Sequence, residues 1–306
     1  MVEKTPLLDF FTYLFLITGI VIVGFPIIYA IMASTLPLEE VSKVPMPAKF
    51  GDQFLVNMAS AWERGDLGTQ LFNSLVMASG IVIGKISVSL LGAFSIVYFD
   101  YRFRKIAFVS VFCTLMLPVE VRILPTYEMA ANVFGPLQPL WDFLHLDGIL
   151  SWIAQNEIEV DLNWNLLDSY TGLILPLVAS ATCTFLFRQF FLTIPEELCE
   201  AAKIDGASPM MFFRKVLLPL SKTNIAALVV IEFVYGWNQY LWPLLITTDP
   251  KMKTAVIGLQ NLIPQADDIP EWNVALAAAL IVMLPPILVV LFMQRWFVKG
   301  LVDIDK

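Results

Sequence analysis

The strongest constraint on this chain is a set of long stretches without charge. No Asp, Glu, Lys or Arg occurs between Asp9 and Glu39, between Tyr170 and Phe187, or between Trp272 and Gln294. A helix needs about 20 apolar residues to cross a bilayer. Core helices of soluble domains are rarely apolar on every side for that length. Composition agrees: 58% of residues are hydrophobic, only 15% are charged, and the mean hydropathy is +0.74. Soluble domains sit nearer half apolar and a quarter charged. The predicted fold is therefore all-α, a polytopic membrane protein forming a single transmembrane domain over residues 1–306. Six spans are expected, at roughly 13–33, 71–98, 106–124, 170–190, 225–246 and 273–297.

Most of these spans carry proline: Pro26, Pro118, Pro176, Pro243 and the pair Pro285-Pro286. Membrane helices tolerate proline where neighbours satisfy the freed carbonyls. Kinked packing helices and helices that bend during transport both fit. The first apolar block is long and lacks a small-residue cleavage site, so it reads as a span that stays.

Loop charge gives the expected orientation. Arg102, Arg104 and Lys105 follow the second span. Arg188, Lys203, Arg214, Lys215 and Lys222 follow the fourth, and Arg295, Lys299 and Lys306 follow the sixth. With Lys4, that side holds twelve basic residues. The opposite side holds five: Lys43, Lys49, Arg64, Lys251 and Lys253. Both termini are expected in the cytoplasm. The stretch from Tyr127 to Ser169 has no Lys or Arg and seven acids, as a translocated loop would.

Several function classes drop out. A net charge of −8 argues against nucleic acid, which calls for a basic face. Cys113, Cys183 and Cys199 show neither a disulfide framework nor zinc spacing. Gly80-Ile-Val-Ile-Gly84-Lys85 superficially suggests a phosphate loop. That signature needs four residues between its glycines and Ser or Thr after Lys. Here three intervene and Ile86 follows. The pair reads instead as a G-x-x-x-G face that lets another helix approach closely. One His and no nucleophile–base constellation argue against covalent chemistry.

The most informative stretch is the polar segment 193–223. Pro195 is expected at the first helical position, with Glu196 and Glu197 in the first turn, where acids complement the helix dipole. That helix is expected to reach about Ile204, with Gly206 as terminator. Ser208-Pro209 reads as an N-cap followed by proline at N1. A second short helix then places Phe213, Val216 and Leu217 on one face, and Pro219 is expected to end it. Two such helices need a partner for their apolar faces. A groove on another protein fits, and a lipid surface is the alternative. Acids interspersed along the segment, rather than confined to one polar face, favour the groove.

At these residues a family resemblance appears. Glu200-Ala201-Ala202, then Gly206, then Val216-Leu217-Leu218-Pro219 resembles the E-A-A-x3-G-x9-I-x-L-P loop of ABC importer permeases, with Val216 where isoleucine is usual. Asn73-Ser74, Arg188-Gln189-Phe190-Phe191 and Trp237-Asn238 with Pro243 resemble the carbohydrate, or maltose-type, branch. Three stretches are similar to permease subunits of sn-glycerol-3-phosphate importers. They are Leu117-Pro118-Val119-Glu120-Val121-Arg122-Ile123, Tyr235 to Pro243, and Phe297 to Asp303. One region, 136–165, looks like an insertion on the outer face. It carries Trp141, Trp152, Trp164 and the single His145.

The resemblance implies the rest of the assembly: a second permease subunit, two ATP-binding subunits and a periplasmic binding protein, in the bacterial inner membrane. ATP would be bound by those partners and this chain would hold no cofactor or metal. Coupling to the ATPase would fall to Glu200, Ala201, Ala202, Asp205, Gly206, Phe213, Leu218 and Pro219.

Lys85, Glu120, Arg122 and Glu232 are ionisable residues that lie inside expected spans, away from the basic clusters that set orientation. Each is expensive in hydrocarbon and should face protein or water. They pair with other spans, or Lys85 and Arg122 meet an anionic substrate. Arg matches phosphate in bidentate fashion. Lys85, Glu120, Arg122, Trp237, Asn238 and Gln239 are therefore the expected substrate path, the last three forming a polar-aromatic cluster suited to a polyol or to helix packing. A neutral-sugar permease is the rival substrate reading. An intramembrane enzyme using Glu120 or Glu232 is the rival class, and it leaves the 193–223 segment unexplained.

Overall fold

The computed structural model describes residues 6–117, 119–144, 163–263 and 271–302. Helix dominates, and no strand occurs among the described residues. The principal helices are α1 (Pro6–Thr35), α2 (Phe54–Arg64), α3 (Leu67–Tyr98), α4 (Arg104–Cys113), α5 (Val119–Ala131), α6 (Tyr170–Ile174), α7 (Ala181–Thr193), α8 (Glu196–Ile204), α9 (Pro209–Phe212), α10 (Lys222–Trp237), α11 (Leu241–Ile246), α12 (Ala255–Leu262) and α13 (Trp272–Val302).

Three helices among the described residues, α1, α3 and α13, are each long and apolar enough to cross a membrane. Two bent pairs, Tyr170–Leu177 with Ala181–Thr193 and Pro209–Leu220 with Lys222–Trp237, bring the number to as many as five if each pair counts as one span. The expected spans at 13–33, 71–98 and 273–297 thus correspond to single helices, whereas three others are interrupted. The span expected at 106–124 stops at Cys113 and passes through a tight turn at Thr114–Met116. Leu117 is extended there, with φ −87° and ψ 117°. A residue preceding proline is pushed out of the α region, which accounts for the stop. Pro118 itself lies outside the described residues. The span expected at 170–190 bends by 49° between Leu177 and Ala181. Ser180 caps its second half, accepting from the Cys183 N–H at 3.2 Å. The span expected at 225–246 breaks at Asn238, between α10 and α11.

The chain divides into two compact units. One comprises residues 1–69 and 257–284. Asn57 on α2 organises its polar interior by donating to the carbonyls of Ser34 at 2.8 Å and Leu36 at 3.0 Å. Asn273 donates to the Asn57 side-chain oxygen at 2.9 Å. Ala33, Leu36 and Val41 form the small core beside it, and Arg64 pairs with Glu271. Most of α1 is exposed, with only Ala33, Ser34 and Thr35 buried.

The other unit comprises residues 70–256 and 285–306. Its core gathers Met77 and Ile81 from α3 with Leu173, Trp242 and Ile246. The glycines of α3 permit this closeness. A Cβ at Gly80 would meet the Ile174 side chain at 2.5 Å, and one at Gly84 would meet Val178 at 2.5 Å. The expected close approach at G-x-x-x-G therefore falls against the 170–178 segment. Asn73 donates to the carbonyls of Lys251 at 2.7 Å and Lys253 at 2.9 Å, and accepts from the Tyr170 hydroxyl at 2.7 Å. Asp168, at φ 50°, accepts from the N–H groups of Thr248 at 2.6 Å and Asp249 at 2.8 Å. These bonds hold its carboxyl below the usual carboxylate range, with the Thr248 hydroxyl the largest contributor. Of the stretch expected as an insertion, Gln138–Phe143 forms a short helix, and residues 145–162, with His145 and Trp152, lie outside the described residues.

Candidate functional site: a coupling segment and a charged path

The 193–223 segment folds as two helices around a glycine. α8 begins at Glu196, with Pro195 at its N-cap rather than inside its first turn. Glu196 and Glu197 occupy that first turn. The C-terminus closes with two bonds, Ala207 N–H to Ala202 C=O at 2.9 Å and Gly206 N–H to Lys203 C=O at 3.1 Å. This is the Schellman pattern, which requires a left-handed residue at the turn. Gly206 supplies it at φ +72°. Ser208 then caps α9, its side chain accepting from the Met211 N–H at 3.3 Å, with Pro209 at the first helical position as expected.

Pro219 does not end the second helix. After Phe212 the backbone widens into a π-turn over Phe213–Leu217 and continues through Leu218–Leu220. Pro219 lies in that last piece, one residue before its end. The break comes at Ser221, and the chain bends by 72° into α10.

The two helices differ in exposure. Along α8, Glu200 and Ala201 are exposed, as are Asp205 and Gly206 beyond its end, and Ala202 is half-buried. Ile204 is 85% exposed, an unusual state for so apolar a side chain, and Met210 and Met211 add further exposed apolar surface. Phe212, Phe213 and Leu217 are instead buried within this chain. Of the eight expected coupling residues, Glu200, Ala201, Asp205, Gly206 and Pro219 are open at the surface and Ala202 and Leu218 partly so. Phe213 turns inward.

The charged residues separate as well. Lys85 on α3 and Glu232 on α10 form an ion pair at 2.7 Å, each side chain only 7% exposed. The Cys183 thiol on α7 donates to the other Glu232 oxygen at 2.9 Å. The Lys85 ammonium also lies 3.6 Å from the centre of the Tyr235 ring. Three helices thus meet at one neutralised pair. Glu232 is taken by Lys85, not by Arg122. Arg122 stands exposed on α5 and makes no ion pair among the described residues. Glu120 lies on α5, and its side chain is outside the described set. Trp237 is 2% exposed and stacks on Phe233, with ring centres 5.8 Å apart. Asn238 is exposed at the helix end, and Gln239 donates to the Tyr235 carbonyl at 3.1 Å.

No sequence signal ties Cys183 or Tyr235 to the Lys85–Glu232 pair. Nothing local marks them, because their partners lie 49 residues away in the case of Cys183–Glu232. Lys85 and Glu232 are 147 residues apart.

An all-helical, multi-spanning chain with an exposed glycine-turned helix pair before a span has the architecture of an importer permease. Residues 80–303 match the family described as binding-protein-dependent transport system inner membrane component, and the chain belongs to that family. The sn-glycerol-3-phosphate transport system permease protein UgpE of Pectobacterium atrosepticum is 49% identical over 312 residues, covering 100% of both chains. The protein of that description from Escherichia coli O1:K1 is 48% identical over 313 residues, again with 100% of both chains covered. Among solved structures, a bacterial ABC transporter involved in import of the acidic polysaccharide alginate matches with a TM-score of 0.72 at 18% identity, over 97% of this chain and 100% of that one. The bacterial alginate ABC transporter in complex with its pentasaccharide-bound periplasmic protein matches with a TM-score of 0.55 at 17% identity, over 94% and 93% of the two chains. The chain is a multi-pass inner-membrane permease subunit of an ABC importer.

Proposed function

We propose that this permease carries sn-glycerol 3-phosphate across the inner membrane, receiving it from a periplasmic binding protein. Identity of 47–49% over the whole chain to permeases named for that substrate is the observation that carries this reading. The assembly holds this chain, a second permease subunit and two ATP-binding subunits. ATP binds to those subunits, and this chain holds no cofactor and performs no covalent step. Both termini and the 193–223 segment face the cytoplasm, in keeping with the bias of basic residues.

The segment 196–219 transmits the ATPase cycle. Glu200, Ala201, Ala202, Asp205, Gly206, Leu218 and Pro219 dock with Ile204, Met210 and Met211 in a groove of an ATP-binding subunit. Exposed apolar side chains beside acids favour a protein groove over open solvent. Phe213 supports the segment from within. When the ATPase subunits close, the segments move and the spans alternate between inward and outward access.

The substrate path runs past Arg122, Asn238 and Gln239, with Glu120, Lys85 and Trp237 in or beside its wall. Arg122 supplies a fork of donors to the phosphate. Cells lacking their own uptake route provide the test. Expressed with its partners, this chain should restore accumulation of labelled sn-glycerol 3-phosphate. Accumulation of a neutral sugar instead would overturn the substrate assignment.

A further inference from the structure

The buried half of the coupling segment shows how its motion reaches the membrane. The Phe213 ring centre lies 5.0 Å from that of Phe94 on α3. Phe212 meets Tyr98, one helical turn further along α3, edge to face at 5.3 Å. Tyr98 also reaches the other end of the segment. Its ring is 6.1 Å from Phe191 near the end of α7, and its hydroxyl donates to the Phe191 carbonyl at 3.4 Å. Phe94, Phe212, Phe213 and Phe191 are all nearly sealed from solvent, at 1–6% exposure. The end of α3 is therefore held at both the start and the finish of the segment.

The first helix is held differently. A cavity of about 240 Å³ lies between α8 and the end of α3, bordered by Tyr98, Phe99, Cys199, Lys203 and Phe212. α8 does not pack flat on α3 there. The aromatic contacts give force delivered to the segment a close-packed route into α3, because close-packed rings transmit displacement. Along α3, Lys85 lies nine residues before Phe94, roughly 13 Å at helical rise. There α3 is tied to α10 through Glu232.

We propose that Phe94 and Tyr98 are the positioning residues that carry movement of the coupling segment into α3. Phe213 and Phe212 are their counterparts on the segment. The proposal rests on the reading that α8 docks on an ATP-binding subunit. Both act through Phe212 and Phe213 of this chain. They set how much transport each ATP yields.

The test uses the complete four-subunit transporter with its binding protein in proteoliposomes, measuring ATP hydrolysis and uptake of labelled sn-glycerol 3-phosphate together. Phe94→Leu/Tyr98→Leu should keep ATP hydrolysis within about twofold of wild type and lower uptake per ATP about tenfold. That loss corresponds to about 1.4 kcal/mol, the scale of aromatic pair energies. Tyr98→Phe keeps the ring and should stay near wild type. A second variant holds folding constant. Phe94→Cys/Phe213→Cys, made with Cys113→Ala and Cys199→Ala, should be uncoupled when free and recoupled by a short bis-methanethiosulfonate tether. Wild-type uptake per ATP in the Leu variant, or equal coupling with and without the tether, would overturn the proposal. Gly206→Val separates the two readings. If it uncouples while the aromatic variants do not, only this proposal fails. If it also leaves coupling intact, the docking reading fails with it.

Discussion

The Lys85–Glu232 pair offers the sharpest energetic test of the packing. At 2.7 Å, with 7% of each side chain exposed, the two charges have little solvent to fall back on. Replacing Glu232 with Leu leaves the Lys85 ammonium facing the Tyr235 ring alone and removes the acceptor of the Cys183 thiol. Replacing Lys85 with Met leaves the carboxylate with that thiol as its one remaining partner described. Removing one member of a buried ion pair costs about 3–5 kcal/mol, because the other charge stays buried without compensation. Replacing both with apolar residues of similar volume is often close to neutral. Lys85→Met/Glu232→Leu should therefore be far milder than the sum of the single changes, with a coupling energy of at least about 2 kcal/mol. That exceeds the roughly 0.6 kcal/mol average of neutral hydrogen bonds between membrane helices. Reversible unfolding of the purified chain by SDS in mixed micelles, followed by far-ultraviolet circular dichroism, measures the cycle. Additive single and double changes would refute the argument that these residues neutralise each other across α3 and α10.

Other outcomes follow from particular side chains. Gly206→Val should raise the cost of the turn by about 1–2 kcal/mol through its φ of +72° alone, since a Cβ there meets nothing within 4 Å; uptake should fall while the chain still reaches the membrane, and Gly206→Asn should be milder. Arg122→Lys and then Arg122→Gln should lower uptake of sn-glycerol 3-phosphate in that order at unchanged expression, and neutralising Glu232 should not rescue either variant, because Glu232 belongs to Lys85. Asp168 has a lowered pKa in the fold, so its stabilisation is complete above the unfolded value of about 3.9 and fades as pH falls through the lower folded value. The melting temperatures of wild type and Asp168→Asn should therefore differ at pH 7 and draw together as the pH falls below about 3.9. A cysteine placed at Ser208 should resist an impermeant thiol reagent added outside intact cells and react once the membrane is opened.

The parts of this molecule legible in the sequence are those written in local order. Unbroken apolar length gave α1, α3 and α13. Gly206 and Ser208 marked the turn and the cap because each acts on bonds within five residues of itself. The interruptions were less legible. Prolines were visible at 118, 176 and 219, yet a proline bends, ends or sits harmlessly in a helix according to its neighbours. Pro219 sits one residue before a helix end at Leu220, behind a π-turn that no periodicity announces. Contacts between distant segments were least legible. An expensive Lys85 predicted that some partner exists but not which one, and Glu232 was one of several acids. The apolar face of 209–217 was evident from spacing, but whether it turned to another protein or to α3 depended on where Phe94 and Tyr98 end up.

The most direct test of the account is transport by the purified assembly. This chain, its partner permease and the two ATP-binding subunits, reconstituted in proteoliposomes with the binding protein outside, should accumulate labelled sn-glycerol 3-phosphate only when ATP is enclosed on the cytoplasmic side. Accumulation should stop when either the binding protein or the ATP is withheld. Accumulation that proceeds without ATP, or ATP hydrolysis stimulated by a loaded binding protein while sn-glycerol 3-phosphate stays outside, would contradict it.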